Sequence, residues 1–238
     1  MRLHDRIDAG RQLAAALTPY AHRSDVIVLG LPRGGVPVAH EVASRLDAPL
    51  DVFLVRKLGV PGHQELAMGA IAEGGIRVLS RDVIEALGVP HAVIEQVAVR
   101  ERLELERRDV EYRGARRPIA VRDRTVILVD DGLATGATME AAIVALRQQR
   151  PARIVVAVPV GARETCDRLR RVADEVVCPA MPEPFDAVGL WYEEFTQTSD
   201  DEVKRLLESA ARSATPGRAS SSRNSDAVTV VRERASGL

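Results

Sequence analysis

Short apolar runs separated by helix-length amphipathic segments are the feature that most constrains the fold of this chain. Several of these runs lack the alternation of polar and apolar residues that marks a half-exposed strand, which is typical of parallel strands buried on both faces. The runs lie at residues 26–29, 52–55, 68–72, 126–129, 154–158 and 176–178, and helical segments lie at 36–46, 139–149 and 162–172. This order predicts an α/β fold with a doubly wound, mostly parallel sheet flanked by helices. Right-handed crossovers would place the loops that follow the strands at one edge of the sheet.

The length of 238 residues, with 46% hydrophobic and 28% charged residues, suits one main domain. We assign residues 24–211 to it, with a helical insertion at 81–114 that contains a long amphipathic helix. The N-terminal helix, within residues 1–23, should join this insertion in a small helical subdomain over the sheet edge. Residues 212–238 are rich in Ser, Ala, Arg and Gly and poor in apolar side chains, so a disordered tail is expected there.

Charge and composition argue against several classes of partner. The formal charge is −1 and aromatic residues make up 3% of the chain, so neither a basic surplus nor a set of stacking surfaces favours nucleic acid or an anionic membrane. Cys166 and Cys178 lack metal-ligand spacing and are predicted to be reduced, buried thiols. The first residues lack the apolar core of a signal peptide and no apolar run reaches membrane-spanning length, so we expect a cytoplasmic protein.

Two adjacent carboxylates, Asp130 and Asp131, follow the apolar run at 126–129 directly. In open α/β sheets, ligands bind at this end of the strands. The small residues Ala134, Thr135, Gly136, Ala137 and Thr138 then open a helix, and their N–H groups can close around a phosphate. A sugar phosphate carrying Mg²⁺ would bring the two carboxylates together without repulsion. The alternative is a simple strand-to-helix turn in which an Asp caps the helix.

Two further strand ends carry cations. The first apolar run leads into Arg33, Gly34 and Gly35, where glycine lets the backbone approach a ligand and arginine meets its charge; this loop can bind pyrophosphate or be an ordinary turn. The second run leads into Arg56 and Lys57, which suit a pyrophosphate leaving group, followed by a Gly- and Pro-punctuated segment that can act as a mobile lid.

Acceptor-binding candidates are less specific. Glu73 precedes two glycines after the third apolar run, where it can line a base pocket or begin a turn. Phe185 and Trp191 belong to an aromatic-rich segment after the last strand, which can stack on a planar nucleobase. For Trp191, burial against the C-terminal helix is an equally good interpretation.

The run from residue 126 to 138 resembles the phosphoribosyl-pyrophosphate (PRPP) motif of the type I phosphoribosyltransferases. The resemblance implies that Asp130 and Asp131 hold the ribose hydroxyls, with Mg²⁺ bound indirectly through PRPP and water, and that residues 134–138 hold the 5′-phosphate. It also implies that the loop at residues 33–35 binds pyrophosphate, that Arg56 and Lys57 take part in catalysis, and that the helical subdomain is the variable hood of the family. The Arg-Lys pair before a Gly- and Pro-rich loop is similar to the adenine and orotate enzymes.

The chain departs from the 6-oxopurine enzymes at Ala134, where those enzymes carry an additional Asp as general base. By that comparison the base, if one is needed, must come from elsewhere, with His63, Glu65 and Glu73 as candidates. An aromatic after the last strand covers the purine in those enzymes, which makes Phe185 the first and Trp191 the second base-binding candidate.

The predicted function is Mg²⁺-dependent transfer of ribose 5-phosphate from PRPP to a nucleobase or similar nitrogen acceptor, with release of pyrophosphate. One alternative is a PRPP-sensing regulator of the same fold without transferase activity. Another is a phosphatase or aldolase-like enzyme that uses the two Asp residues for a metal, which leaves residues 134–138 without a role. The acceptor, purine or pyrimidine, and the oligomeric state, with a homodimer among the options, stay open.

Overall fold

The computed structural model describes residues 2–213, apart from the side chains of residues 63–65. The strands are β1 (Val26–Gly30), β2 (Leu50–Val52), β3 (Val55–Val60), β4 (His63–Ala72), β5 (Ile76–Leu79), β6 (Thr125–Val129), β7 (Arg153–Ala157) and β8 (Glu175–Val177). The helices are α1 (Arg6–Ala16), α2 (Gly35–Leu46), α3 (Arg81–Ala86), α4 (His91–Arg113), α5 (Ala137–Gln148), α6 (Arg163–Leu169) and α7 (Asp200–Ser213). None of the described helices is both long and apolar enough to cross a lipid bilayer.

A five-stranded parallel sheet forms the centre of the molecule, in the order β2-β1-β6-β7-β8. The residues from Val126 to Val129 are fully buried because one face of β6 packs toward α2 and the other toward α5. Apolar cores therefore lie on both sides of the sheet, and they explain why the strand sequences show no polar alternation. The predicted parallel sheet flanked by helices is confirmed. Cys166 and Cys178 are buried free thiols, also as predicted.

A second sheet, antiparallel and in the order β3-β4-β5, lies outside the central one. The apolar run at 68–72, which we predicted as part of the parallel alternation, belongs to β4 and pairs with β3, so that prediction is wrong. The reason lies at the β3–β4 turn, where Gly62 has a φ of +82° and two residues connect the strands. Such a tight turn can join only antiparallel neighbours, because a parallel pair needs a crossover of about a dozen residues. The segment predicted as a lid is thus a β-hairpin.

The long helix α4 packs on β3, β4 and α7, whereas the N-terminal helix α1 packs on α2. We expected these two helices to share one hood, and in the structure they pack mainly on different elements. The C-terminal helix α7 extends to Ser213, so it includes the first two residues of the segment 212–238 that was predicted as a tail. The other residues of that segment, 214–238, lie outside the described residues.

Candidate active site

The loops after β1 and β6 meet at one edge of the sheet. Gly30 and Val129 are partners in the parallel pairing, and Leu31 N–H donates to the Val129 carbonyl at 2.9 Å. A Cβ atom on Gly34 would lie 2.0 Å from Asp131 Oδ2, and one on Gly35 would lie 2.6 Å from the Val129 carbonyl oxygen. Only glycine permits this approach, so the Arg33–Gly35 loop is pressed against the acid pair.

The two carboxylates have different environments. Asp130 Oδ1 accepts a hydrogen bond from Asp131 N–H at 2.9 Å. Burial raises the pKa of Asp130, the negative charge of Asp131 raises it further, and the guanidinium of Arg6 opposes the increase. A cation or hydroxyl donors would stabilise two adjacent acids of this kind. This is the property expected of an acid pair that binds a sugar.

Arg6, at the start of α1, reaches Asp131 from 125 residues away in sequence. Its Nε and Nη2 lie 2.9 and 2.8 Å from Asp131 Oδ2, and its Nη1 donates to the Thr196 carbonyl at 2.6 Å. The Tyr192 hydroxyl donates to the Asp131 carbonyl at 2.6 Å. We did not predict Arg6 or Tyr192, and no local motif marks either one. Both arrive because Leu3 pairs with Tyr192 in a parallel bridge that brings the two ends of the domain together.

The predicted phosphate loop, from Ala134 to Thr138, leads into the first turn of α5. Gly136 has a φ of +70°, in the left-handed region, and a Cβ there would lie 2.5 Å from Thr165 Cγ2. Thr165 Oγ1 donates to the Ala134 carbonyl at 2.6 Å, and Arg168 donates to the Thr135 carbonyl. Carbonyls are thus held from the α6 side, while the first N–H groups of α5 have no acceptor within the helix. Together these features match the requirements of an anion site.

A cavity of about 770 Å³ lies beside this loop, between the β3–β4 hairpin and α4. Its lining includes Arg56 and Lys57, which we predicted from sequence, and Thr138 at the end of the phosphate loop. It also includes Arg100, Glu101 and Arg108, which we did not predict because they lie on α4, far from any motif. Cations therefore reach one cavity from two elements, as binding of a polyanion requires.

Arg56 is already paired in this cavity. Its Nη2 lies 2.6 Å from Glu101 Oε2, and its Nε donates to the same oxygen at 2.8 Å. The Glu101 side chain is 11% exposed and also accepts from Arg100 Nε at 3.1 Å. A ligand that uses Arg56 must therefore share it with Glu101 or displace that carboxylate.

Glu73 begins the short turn between β4 and β5, one of the two interpretations of its sequence position. It accepts from Arg113 Nη1 at 2.7 Å, and Arg113 is also bound by Asp51 and Asp109 at 2.9 and 2.6 Å. Burial raises the pKa of Glu73 to about 7, although Arg113 works in the opposite direction. Glu73 lines a separate cavity of about 280 Å³ between the β4–β5 turn and α4. The structure does not bring it together with Asp130 and Asp131.

The aromatic candidates lie next to the acid loop but stack on each other. The ring centroids of Phe185 and Trp191 are 6.2 Å apart, and both side chains, like Val188, pack against a small apolar cluster that includes Tyr192. A Cβ on Gly132 would lie 2.5 Å from Val188 Cγ1, so this cluster touches the loop after the acid pair. Phe195, which we did not select, lies closer to the acids through Arg6, whose guanidinium carbon is 4.0 Å from its ring centroid.

Two other candidates cannot be placed. The side chains of His63 and Glu65, proposed as general bases, lie outside the described residues, although the backbone of both belongs to β4. Arg33 lies in the loop beside Asp131, half-buried. Within the described residues no cluster of three or more His, Cys, Asp or Glu side chains could hold a metal ion.

Comparison with known proteins connects this chain to one family. A model of the phosphoribosyl transferase domain matches residues 2–193. A Mycobacterium tuberculosis (strain H37Rv) protein that is provisionally named a phosphoribosyl transferase is 50% identical over 208 residues, which is 87% of this chain and 47% of that protein. The chain therefore spans about half of that relative's length.

Two other similarities agree with this. The crystal structure of TT1426 from Thermus thermophilus superposes with a TM-score of 0.80 at 47% identity, covering 87% of this chain and 98% of that one. The bifunctional protein PyrR of Chloroflexus aurantiacus is 36% identical over 129 residues, which is 53% of this chain and 65% of that protein.

Proposed function

Because this chain belongs to the phosphoribosyltransferase family, we propose that it transfers ribose 5-phosphate from PRPP to a nitrogen acceptor and releases pyrophosphate. One observation carries the proposal. The Arg33–Gly35 loop is so close to Asp131 that a single added Cβ would collide with the carboxylate. A ligand with a ribose next to a pyrophosphate group is the kind of molecule that would contact both at once.

The placement of PRPP follows from the three parts of the site. The 5′-phosphate would lie on the N–H groups of residues 134–138 at the start of α5. The ribose hydroxyls would donate to Asp130 and Asp131. The pyrophosphate would lie between the Arg33–Gly35 loop and the cations of the 770 Å³ cavity, among them Arg56 and Lys57.

The chemistry of this arrangement is electrostatic. When the bond between the anomeric carbon and pyrophosphate breaks, positive charge develops on the sugar and negative charge on the departing group. The carboxylates of Asp130 and Asp131 stabilise the first, and the cations of β3 and α4 stabilise the second. Enclosure of the cavity by the hairpin and α4 would exclude water, which otherwise competes with the acceptor for the sugar.

Magnesium fits the site as a partner of PRPP rather than as a resident ion. The described residues contain no cluster of three acidic or imidazole ligands, so protein groups alone would hold the ion poorly. Asp130 and Asp131 would hold it indirectly, through the ribose hydroxyls and water. When bound, Mg²⁺ supplies positive charge to the pyrophosphate oxygens.

The acceptor is a nucleobase or a similar planar nitrogen compound in this proposal. The Phe185–Trp191 stack, which belongs to the same apolar cluster as Val188, is one wall that would select it. No additional carboxylate is available at Ala134 to remove a proton from the acceptor, so deprotonation would depend on groups of the hairpin, such as His63 or Glu65.

The test is a pyrophosphate-release assay with Mg²⁺-PRPP and a panel of purine and pyrimidine bases. We expect release with one base or a small set. Asp131→Asn should abolish release while circular dichroism shows a folded protein, although loss of the ion pair with Arg6 should lower its unfolding temperature. The matched control is Asp167→Asn on α6, an exposed acid that pairs locally with Arg170. Unchanged release by Asp131→Asn would contradict the proposal.

A PRPP-sensing regulator is the second candidate function. The observation that favours it is the Arg56–Glu101 ion pair, which already occupies a cation of the pyrophosphate region. In a sensor, PRPP would displace Glu101 and move α4 without any transfer. Saturable PRPP binding together with no release for any base, in wild type and in Glu101→Gln, would favour this candidate over the enzyme.

A further inference from the structure

The N-terminal helix contributes one side chain to the acid pair. Arg6 places Nε and Nη2 on the same oxygen, Asp131 Oδ2, at 2.9 and 2.8 Å. Its third nitrogen is fixed by the Thr196 carbonyl, its face lies on the Phe195 ring, and its side chain is 11% exposed. The guanidinium is therefore held on three sides, and it cannot swing away without breaking all three contacts.

This geometry leaves one oxygen of Asp131 available. Arg6 Nε donates to Oδ2 and Nη2 lies against the same oxygen, so Arg6 does not bridge the two oxygens of the Asp131 carboxylate. An arginine that blocked a carboxylate would form two parallel hydrogen bonds, one to each oxygen. Here Arg6 binds the Asp131 side chain through one oxygen, and 15% of the Asp131 side chain stays exposed. The contact orients the acid without covering it.

The main chain of Asp131 is also held by a hydrogen bond from a distant segment. The Tyr192 hydroxyl donates to its carbonyl oxygen at 2.6 Å. Tyr192, Phe195 and Thr196 all belong to the segment that pairs with the N-terminus around Leu3. The N-terminal and C-terminal segments of the domain thus form one clamp on a single acidic residue of the candidate site.

We propose that Arg6 is a positioning residue for ribose recognition, which holds the Asp131 carboxylate so that Oδ1 accepts a ribose hydroxyl of PRPP. The inference rests on the function proposed above and adds to it a part of the site that lies outside the strand-end loops. Lysine could supply the charge but not a planar group that binds Asp131 and the Thr196 carbonyl at once.

The experiment compares two ligands that differ in the ribose. Isothermal titration calorimetry would measure binding of Mg²⁺-PRPP and of Mg²⁺-pyrophosphate, which has no ribose, to wild type and to Arg6→Met. We expect the Kd for PRPP to rise about tenfold or more, the effect of losing one charge-assisted hydrogen bond. The Kd for pyrophosphate should change less than about twofold.

Two further variants separate positioning from general stability. Arg11→Met removes another arginine of α1, one that pairs with Glu41 on the surface, and should leave both affinities unchanged. Arg6→Lys keeps the charge and should show an intermediate PRPP affinity, with pyrophosphate binding as in wild type. If Arg6→Met does not fold, the Lys variant alone decides, because a wild-type PRPP affinity in it overturns the inference.

The outcomes distinguish failure of the role of Arg6 from failure of the proposed function. If wild type binds PRPP and Arg6→Met binds it equally well, or loses PRPP and pyrophosphate together, Arg6 is not a ribose-positioning residue. If wild type binds pyrophosphate but not PRPP, or neither ligand, the proposed function itself fails and the role of Arg6 fails with it.

Discussion

Glu73 should make the stability of this protein fall as the pH rises through neutrality. The carboxyl is 12% exposed, and burial raises its pKa from 4.5 in the unfolded chain to about 7. The folded state therefore holds a proton on Glu73 at a pH where the unfolded state has lost it. Stability is highest below the unfolded pKa, and it declines until the folded pKa has been passed.

The size of the effect follows from these two pKa values. Between about pH 5.5 and about pH 8.5 the linkage relation gives a loss of about 2 kcal/mol from this one group. Glu73→Gln removes the titration but keeps an oxygen for Arg113. The free energy of unfolding of the variant, relative to wild type, should therefore rise by about 2 kcal/mol over the same interval. Any fixed effect of the amide cancels in this difference.

Urea denaturation, followed by far-ultraviolet circular dichroism at about pH 5.5 and about pH 8.5, would measure this change in the free energy of unfolding. Glu85→Gln, at an exposed position of α3, serves as the control for removal of one negative charge. A Glu73→Gln difference that is the same at both pH values would contradict this prediction, because it would mean that Arg113 outweighs burial and holds Glu73 ionised at both.

Three other substitutions test the packing of the site and its support. Asp130→Asn should raise the unfolding free energy at neutral pH, because burial and the charge of Asp131 both disfavour the ionised form of Asp130 in the folded state. It should also abolish PRPP binding in calorimetry. Gly34→Ala meets no backbone strain, since φ is −60°, but its Cβ would collide with Asp131, so PRPP affinity should fall at least about tenfold while circular dichroism shows a folded protein. Arg113→Met should lower the unfolding free energy in urea by about 3–5 kcal/mol, because Asp51 would lose its buried counter-ion; a loss below about 1 kcal/mol would contradict this.

The parts of the site that could be predicted from the sequence are those whose residues are neighbours in the chain. The strand from Val126 to Val129, the acids after it and the small residues that open α5 follow one another, so their local pattern was sufficient for the family and for the central sheet. The run at 68–72 was misassigned because an apolar strand looks alike in a parallel and an antiparallel sheet, and only the tight turn at Gly62 decides between them.

The other parts depend on contacts between distant segments. Arg6 reaches Asp131 through the folding of both termini onto one edge, and nothing in the sequence around Arg6 marks it. Arg100 and Arg108 looked like ordinary charges of an amphipathic helix until α4 was placed over the hairpin. The buried ion pair of Glu73 was not predicted because its partner, Arg113, is 40 positions away in the sequence.

The central claim is that the acid pair Asp130–Asp131 is a PRPP site. The most direct measurement is calorimetric titration of Mg²⁺-PRPP into wild type and Asp131→Asn, with inorganic pyrophosphate as the second ligand. We predict saturable PRPP binding by wild type, a loss of about hundredfold or more in the variant, and nearly equal pyrophosphate binding by both. Equal PRPP affinity in the two proteins, or no PRPP binding by wild type, would contradict the account.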